Sequence, residues 1–201
     1  MMRTLRSLIL ISSLVFGALA SCGLDSWGLP AWGQGAGGAP ELEVGQRAID
    51  FELPIVKGEG YLSLSETYKG GPTVVVFLRG YPGYQCPICS RQVSSLVNRA
   101  KALQQAAHRI VLVYPGSDEK LEQRAEDFIG SRRLPPPLVL VRDDDLRVAQ
   151  QWGVRWNKPR ETTYPSTFVL DRYGRVAWKK VSRSHGERSS VEEILKELRK
   201  L

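Results

Sequence analysis

T-V-V-V-F-L-R-G-Y-P-G-Y-Q-C-P-I-C-S-R-Q-V-S-S, residues 73–95, decides how the rest of the chain is read. The unbroken apolar run Val74–Leu78 predicts a strand buried on both faces. It gives way to a Gly/Pro loop, Gly80 to Gln85, which delivers Cys86 to the start of a helix. Pro87 suits the first helical turn, where a missing N–H leaves nothing unpaired. A cysteine at that point meets unpaired backbone N–H groups and the positive end of the helix dipole, and both favour thiolate. Cys89, three residues on, falls on the same helical face, within reach of a disulfide with Cys86. The stretch therefore predicts a dithiol redox site.

Working outward, the 201 residues allow one ordinary domain with extensions, and 42% hydrophobic with 24% charged residues is a globular composition. The formal charge of +7 falls to +5 without Arg3 and Arg6, because residues 1–21 contain no acid. The remaining basic residues are scattered, with no stripe interleaved with aromatics, which argues against nucleic-acid binding.

Toward the N-terminus, residues 1–21 show a basic start, an apolar run Leu8–Phe16 and small residues up to Ser21, the pattern of a secretory signal. It ends in L-A-S-C, residues 19–22, which resembles the bacterial lipobox. That resemblance implies lipidation of Cys22 and an exported, membrane-anchored protein of a bacterial cell envelope or periplasm. A simple cleaved signal with Cys22 incidental is the alternative. Residues 22–40, rich in Gly, Ala and Pro, read as a tether, and residues 41–201 as the folded domain.

Within the domain, Phe51 and Leu53 share a face at strand spacing, and Leu62–Gly71 leads into the central strand. One long helix is expected from Cys89 through Val93, Leu96, Val97, Ala100 and Leu103 to Ala107. Then come a strand at Ile110–Tyr114, a helix around Leu121–Ile129 and a strand at Pro137–Val141. Asp143–Asp145 precede a helix over Leu146–Trp152, where carboxylates suit its N-terminus. Ser166–Leu170 and Arg175–Val181 form a hairpin about D-R-Y-G, and Ser190 with Glu193 predicts a capping box for the last helix. The order β-β-α-β-α-β-α-β-β-α is that of an α/β protein, a mixed central sheet with helices on both faces.

This order, with C-x-x-C after the central strand and Pro165 before the hairpin, resembles the thioredoxin fold. Three segments resemble the alkyl hydroperoxide reductase/thiol-specific antioxidant (peroxiredoxin-like) family more narrowly. They are V-G-Q-R-A-I-D-F-E-L-P from Val44, R-D-D-D-L-R-V-A-Q-Q-W-G-V from Arg142 and S-T-F-V-L-D-R-Y-G-R-V from Ser166. The active-site loop departs from the family pattern P-x-x-x-T-x-x-C. Counted from the strand, Cys86 takes the place of the attacking cysteine, with Arg79 and Gly83 where Pro and Thr would stand. Counted from Pro82, that place falls to Cys89 and the threonine's to Cys86. Both registers remain open at this point.

The resemblance implies a thiol oxidoreductase with Cys86 attacking and Cys89 as partner, using no organic cofactor and an external thiol electron donor. Peroxide reduction leads; disulfide reduction on exported proteins is the second reading. A copper or zinc carrier is the third, with His185 as a possible third ligand beside the commoner reading of an exposed loop histidine. Pro165 is expected in the cis form against the dithiol, with a trans proline merely starting a strand as the alternative. Tyr84, Pro87 and Arg79 are expected to support the site, and Arg79 or Arg91 to supply positive charge near the thiolate. Tyr81 and Tyr84 are candidates to shape the substrate's entry.

Overall fold

The computed structural model describes residues 39–201; the leader, most of the tether and Cys22 lie outside the described residues. Two short strands open the domain, β1 (Glu52–Pro54) and β2 (Tyr61–Ser63), paired antiparallel. Ser63 caps a helix absent from the sequence reading, α1 (Leu64–Lys69), its hydroxyl accepting from the Glu66 N–H. Six residues are too few for a periodic signature, which is why this helix is not legible as one.

The central strand β3 (Thr73–Phe77) is fully buried, as its apolar run predicts. Around it β4 (Arg109–Gly116), β5 (Leu138–Asp144), β6 (Ser166–Leu170) and β7 (Val176–Val181) complete a five-stranded sheet in the order β5-β4-β3-β6-β7. β3, β4 and β5 run parallel, while β6 and β7 are antiparallel, so the mixed sheet and terminal hairpin are both present.

Strand alternation divides the core in two. Val74, Val76 and Leu78 face α2 (Pro87–Asn98), α3 (Ala100–Ala106), α4 (Leu121–Ile129) and α6 (Val191–Leu198). Val75 and Phe77 face α1, α5 (Arg147–Gln151) and the β1–β2 hairpin. On this second face Trp152 is completely buried, with the rings of Phe77 and Phe168 at 5.3 and 5.1 Å. Each such aromatic pair adds roughly 0.5–1.5 kcal/mol beyond its buried area.

Several local expectations are refined. The long helix after Cys86 breaks at Arg99 (φ −111°, ψ 15°) into α2 and α3. The apolar stripe continues across the break because Leu96, Ala100 and Leu103 still face one core. Of the three aspartates before α5, Asp143 does the capping: its two carboxylate oxygens accept from the N–H groups of Val148 and Ala149 at 2.9 and 2.8 Å. It is wholly buried, and desolvation lifts its pKa to about 6 despite those two bonds. The Ser190/Glu193 capping box of α6 is present as read.

Candidate active site

The dithiol stands where β3 hands the chain to α2. Leu78 continues the strand direction, donating its N–H to Val113 O. Gly80 then turns with φ +65°, against the Pro115 carbonyl, where a side chain would collide. This is a position glycine alone fills without strain. Two threonines from the distant segment 162–163 hold the exit of β3, the Thr162 hydroxyl donating to Arg79 O and that of Thr163 to Leu78 O at 2.7 Å. Gln85 is fastened from the other side, accepting from the Tyr114 hydroxyl at 2.7 Å and donating to Arg124 O at 2.8 Å. The loop is thus tied at both ends to strands and helices, so Cys86 is placed by the scaffold.

Cys86 is the N-cap residue of α2, and Pro87 occupies the first turn as expected. The Cys86 sulfur accepts from the backbone N–H of Cys89 at 3.2 Å. Both thiols are free and buried, at 3% and 1% exposure. Their proton affinities diverge. Cys86 is lowered to about 6, first by a hydrogen bond from the Cys89 thiol, then by the Cys89 N–H and the positive charges of Arg188 and Arg79, against the opposing effect of burial. Cys89 is pushed up strongly by that same bond and by burial. These opposite shifts favour the proton on Cys89 and the negative charge on Cys86.

Arg188 was not foreseen from the sequence. It lies in the loop before α6, and its Nη2 reaches within 3.9 Å of the Cys86 sulfur and 3.6 Å of the Cys89 sulfur. Arg91, one of the two arginines expected to supply charge, is instead exposed on α2. Arg79 is at the site, but largely engaged elsewhere. Its backbone N–H points at the Cys89 sulfur at 3.4 Å, while its guanidinium pairs with Glu161 at 2.9 Å and donates to the Tyr84 hydroxyl. The Arg79–Glu161 pair is buried on both sides, at 6% and 10% side-chain exposure. Tyr84 is half exposed with its ring 5.1 Å from the Arg79 guanidinium, and Tyr81 lies under Arg124 at 4.7 Å. Both tyrosines flank the loop.

One expectation is corrected, and His185 takes the commoner of its two readings, an exposed loop histidine. Pro165 sits at the correct end of the sheet, because Ser166 pairs with Phe77, but its peptide bond is trans; the cis bond among the described residues is Pro136–Pro137. Pro165 simply opens β6, its carbonyl accepting from Ser182 N–H at 2.9 Å, and a trans proline satisfies a strand's first position. His185 does not turn toward the sulfurs. Its Nε2 lies 2.8 Å from Glu161, its ring packs 4.9 Å from Trp156, and no group of three metal-binding side chains gathers among the described residues. His108 follows α3, its N–H bonded to Pro72 O, far from this chemistry in the fold.

A mixed sheet flanked by helices, with a pair of cysteines at the N-terminus of the helix after the central strand, defines a thioredoxin-like fold. Comparison with known proteins narrows this. The model of the AhpC/TSA family matches residues 44–179, and the chain belongs to that family. It is 29% identical over 136 residues to a chloroplastic peroxiredoxin Q of Populus jackii, covering 68% of this chain and 59% of that protein. A chloroplastic peroxiredoxin Q of Sedum lineare is 28% identical over 115 residues, covering 57% of this chain and 56% of its own. The chain thus spans rather more than half the length of these relatives. Among solved structures, peroxidoxin BcpB from Mycobacterium tuberculosis matches with TM-score 0.64 and 25% identity, over 80% of this chain and 99% of that one. A peroxiredoxin-like protein from Aquifex aeolicus shares the fold with TM-score 0.63 at 16% identity, over 81% of this chain and 89% of its own.

Proposed function

We propose that the protein is a thiol peroxidase in which Cys86 attacks the peroxide and Cys89 resolves the product. One observation carries the assignment of roles. Cys86 caps α2 with its pKa drawn down to about 6, while its neighbour keeps the proton. This favours the register counted from the strand. Family membership supports the reaction class.

The Cys86 thiolate attacks one oxygen of the peroxide ROOH. The O–O bond breaks, the sulfur loses two electrons and becomes sulfenic acid, and the alkoxide leaves to take a proton from solvent. Arg188, beside both sulfurs, favours the thiolate and the negative charge developing on the departing oxygen. The Cys89 sulfur then attacks the Cys86 sulfur. The S–O bond breaks, and hydroxide leaves with the Cys89 proton as water. An external dithiol returns two electrons and two protons through exchange at the disulfide. No step calls for an organic cofactor.

The test is stopped-flow oxidation of the reduced protein by hydrogen peroxide and by an alkyl hydroperoxide. The expected rate is far above that of a free thiol. It is lost in Cys86→Ser, and Cys89→Ser halts at sulfenic acid by mass. A rate no greater than a free thiol's with both peroxides refutes the proposal. One feature favours a second reading, disulfide reduction: the two cysteines already share a helical turn, so a mixed disulfide on Cys86 has its releasing thiol in place. Rapid exchange with a protein disulfide, without peroxide reactivity, identifies it. The lipobox-like L-A-S-C supports the further proposal that the protein is exported and held at a bacterial membrane through Cys22. Mass spectrometry of the mature N-terminus tests that.

A further inference from the structure

Arg188 reaches both sulfurs from a connection that has no regular structure. Ser182 and Ser189 are buried, whereas residues 183–187 between them are exposed. The two ends are pinned: the Ser182 N–H donates to Pro165 O at 2.9 Å, and the Ser189 hydroxyl meets that of Thr167 at 2.7 Å. Between them the Arg188 guanidinium takes its bearings from its own loop. Its Nη1 donates to the carbonyls of His185 and Glu187 at 2.9 and 2.6 Å, and its Nη2 faces the sulfurs. Its buried Nε has no hydrogen-bond partner among the described residues. The charge beside the thiolate is therefore aimed by two carbonyls, whose position depends on how the loop lies.

Two side chains lay the loop against the body of the protein. The Arg183 guanidinium sits 4.6 Å from the Tyr164 ring and pairs with Glu41. The His185 ring packs 4.9 Å from Trp156, which itself stacks on Tyr164 at 4.7 Å, and its Nε2 lies 2.8 Å from Glu161 Oε1. An ionised carboxylate only accepts, so Nε2 carries a hydrogen toward Glu161 whether the ring is neutral or protonated. The anchor is fixed in its turn: the Glu161 side chain is 10% exposed, and its other oxygen accepts from Arg79 Nε at 2.9 Å. Of the two contacts, that of His185 bears directly on the dithiol, because the backbone carbonyl of the same residue receives Arg188.

We infer that His185 is a positioning residue for the dithiol: it clasps the loop 183–187 to Glu161 and Trp156 and so holds the Arg188 guanidinium beside the Cys86 and Cys89 sulfurs. Its ring is turned to Glu161 and acts through Arg188. When the clasp is removed, the carbonyl at 185 is no longer fixed, Arg188 loses a steady partner for Nη1, and its charge moves away from Cys86. The inference rests on the reading of Cys86 as an activated thiolate and not on peroxide as the substrate.

The test is the pH dependence of Cys86 alkylation in the reduced full chain, read at Cys86 by mass spectrometry so that Cys22 and Cys89 do not contribute. Arg188→Gln sets the scale. Removing a charge about 4 Å from the sulfur, screened nearly as in water, raises the Cys86 pKa by roughly half a unit to one unit. Alkylation on the acid side of the titration then slows roughly three- to tenfold. His185→Ala reproduces most of that shift. His185→Gln, whose amide nitrogen stands close to where Nε2 does and can donate to Glu161, restores a value near that of wild type. In the Arg188→Gln background His185→Ala adds nothing, since residues that act through one another are not additive. A merely structural role for His185 would give the same further shift with or without Arg188. Because the His185 side chain is 53% exposed, its variants test the clasp even if Arg188→Gln disturbs the fold. A wild-type-like profile in His185→Ala, no recovery in His185→Gln, or a His185→Ala shift that persists without Arg188 overturns the inference. A wild-type Cys86 that titrates as an ordinary thiol overturns it together with the assignment of Cys86 as the attacking thiolate, whereas a low wild-type value unchanged in His185→Ala overturns the clasp alone.

Discussion

Replacing Cys89 tests the origin of the Cys86 thiolate more sharply than replacing Cys86 itself. The largest influence holding Cys86 near 6 is the hydrogen bond from the Cys89 thiol, ahead of the Cys89 backbone N–H and the Arg188 charge. Cys89→Ala deletes the thiol donor and keeps the backbone donor, since alanine retains the N–H that reaches the Cys86 sulfur at 3.2 Å. A hydrogen bond to a charged group contributes about 1.5–3 kcal/mol. At about 1.4 kcal/mol per unit, its loss raises the Cys86 pKa by roughly one to two units. Cys89→Ser keeps a donor at the same place and leaves the pKa near the wild-type value. The assay is the ultraviolet absorbance of the thiolate followed against pH in the two variants. At neutral pH Cys86 of the alanine variant is then roughly half to nine-tenths protonated, and its reaction with an alkylating reagent slows in proportion. If Cys89→Ala still titrates near 6, the thiolate is set by the helix terminus and Arg188, and the reasoning above is wrong.

Three other perturbations have defined outcomes. Asp143 binds its proton more tightly when folded than when unfolded, so its contribution favours the folded state at low pH and is lost as pH rises through about 6. The stability difference between wild type and Asp143→Asn, read from melting temperatures, should therefore shift in favour of wild type as pH falls from neutral toward 4; no change across that window would contradict it. Glu161→Gln leaves the Arg79 guanidinium buried without its counter-charge and should lower stability in urea by about 3 kcal/mol; a loss under 1 kcal/mol would show the pair to be dispensable. Gly80→Ala drives a methyl group into the Pro115 carbonyl at a positive φ, and should destabilise by about 3 kcal/mol or more while slowing Cys86 alkylation through displacement of the loop.

Local patterns in the sequence determined a large part of this protein. The buried strand β3, the placement of Cys86 and Pro87 at the start of a helix, the β6–β7 hairpin and the Ser190/Glu193 capping box all depend on residues within a turn or two of each other. Such spacings leave a legible periodicity. The break at Arg99 was hidden because the apolar stripe runs through it, and α1 because it is too short to show a period.

Tertiary structure alone decided what surrounds the sulfurs. Arg188 comes from 102 residues beyond Cys86, Glu161 from 82 beyond Arg79, and Thr163 from 85 beyond Leu78. These residue types carry no local signature, since arginine, glutamate and threonine are ordinary in any polar loop. Glu161 and Thr163 arrive because β6 pairs antiparallel with β3, which brings the segment before β6 back to the end of the sheet where the dithiol stands, and Arg188 because β7 pairs antiparallel with β6 and so ends beside Ser166. The same pairing gave Pro165 its place at the start of a strand, where the trans form suffices. The sequence determined the cysteine pair and the helix start that carries it; the sheet's topology determined which charges face it, because charge acts through distance in space and not along the chain.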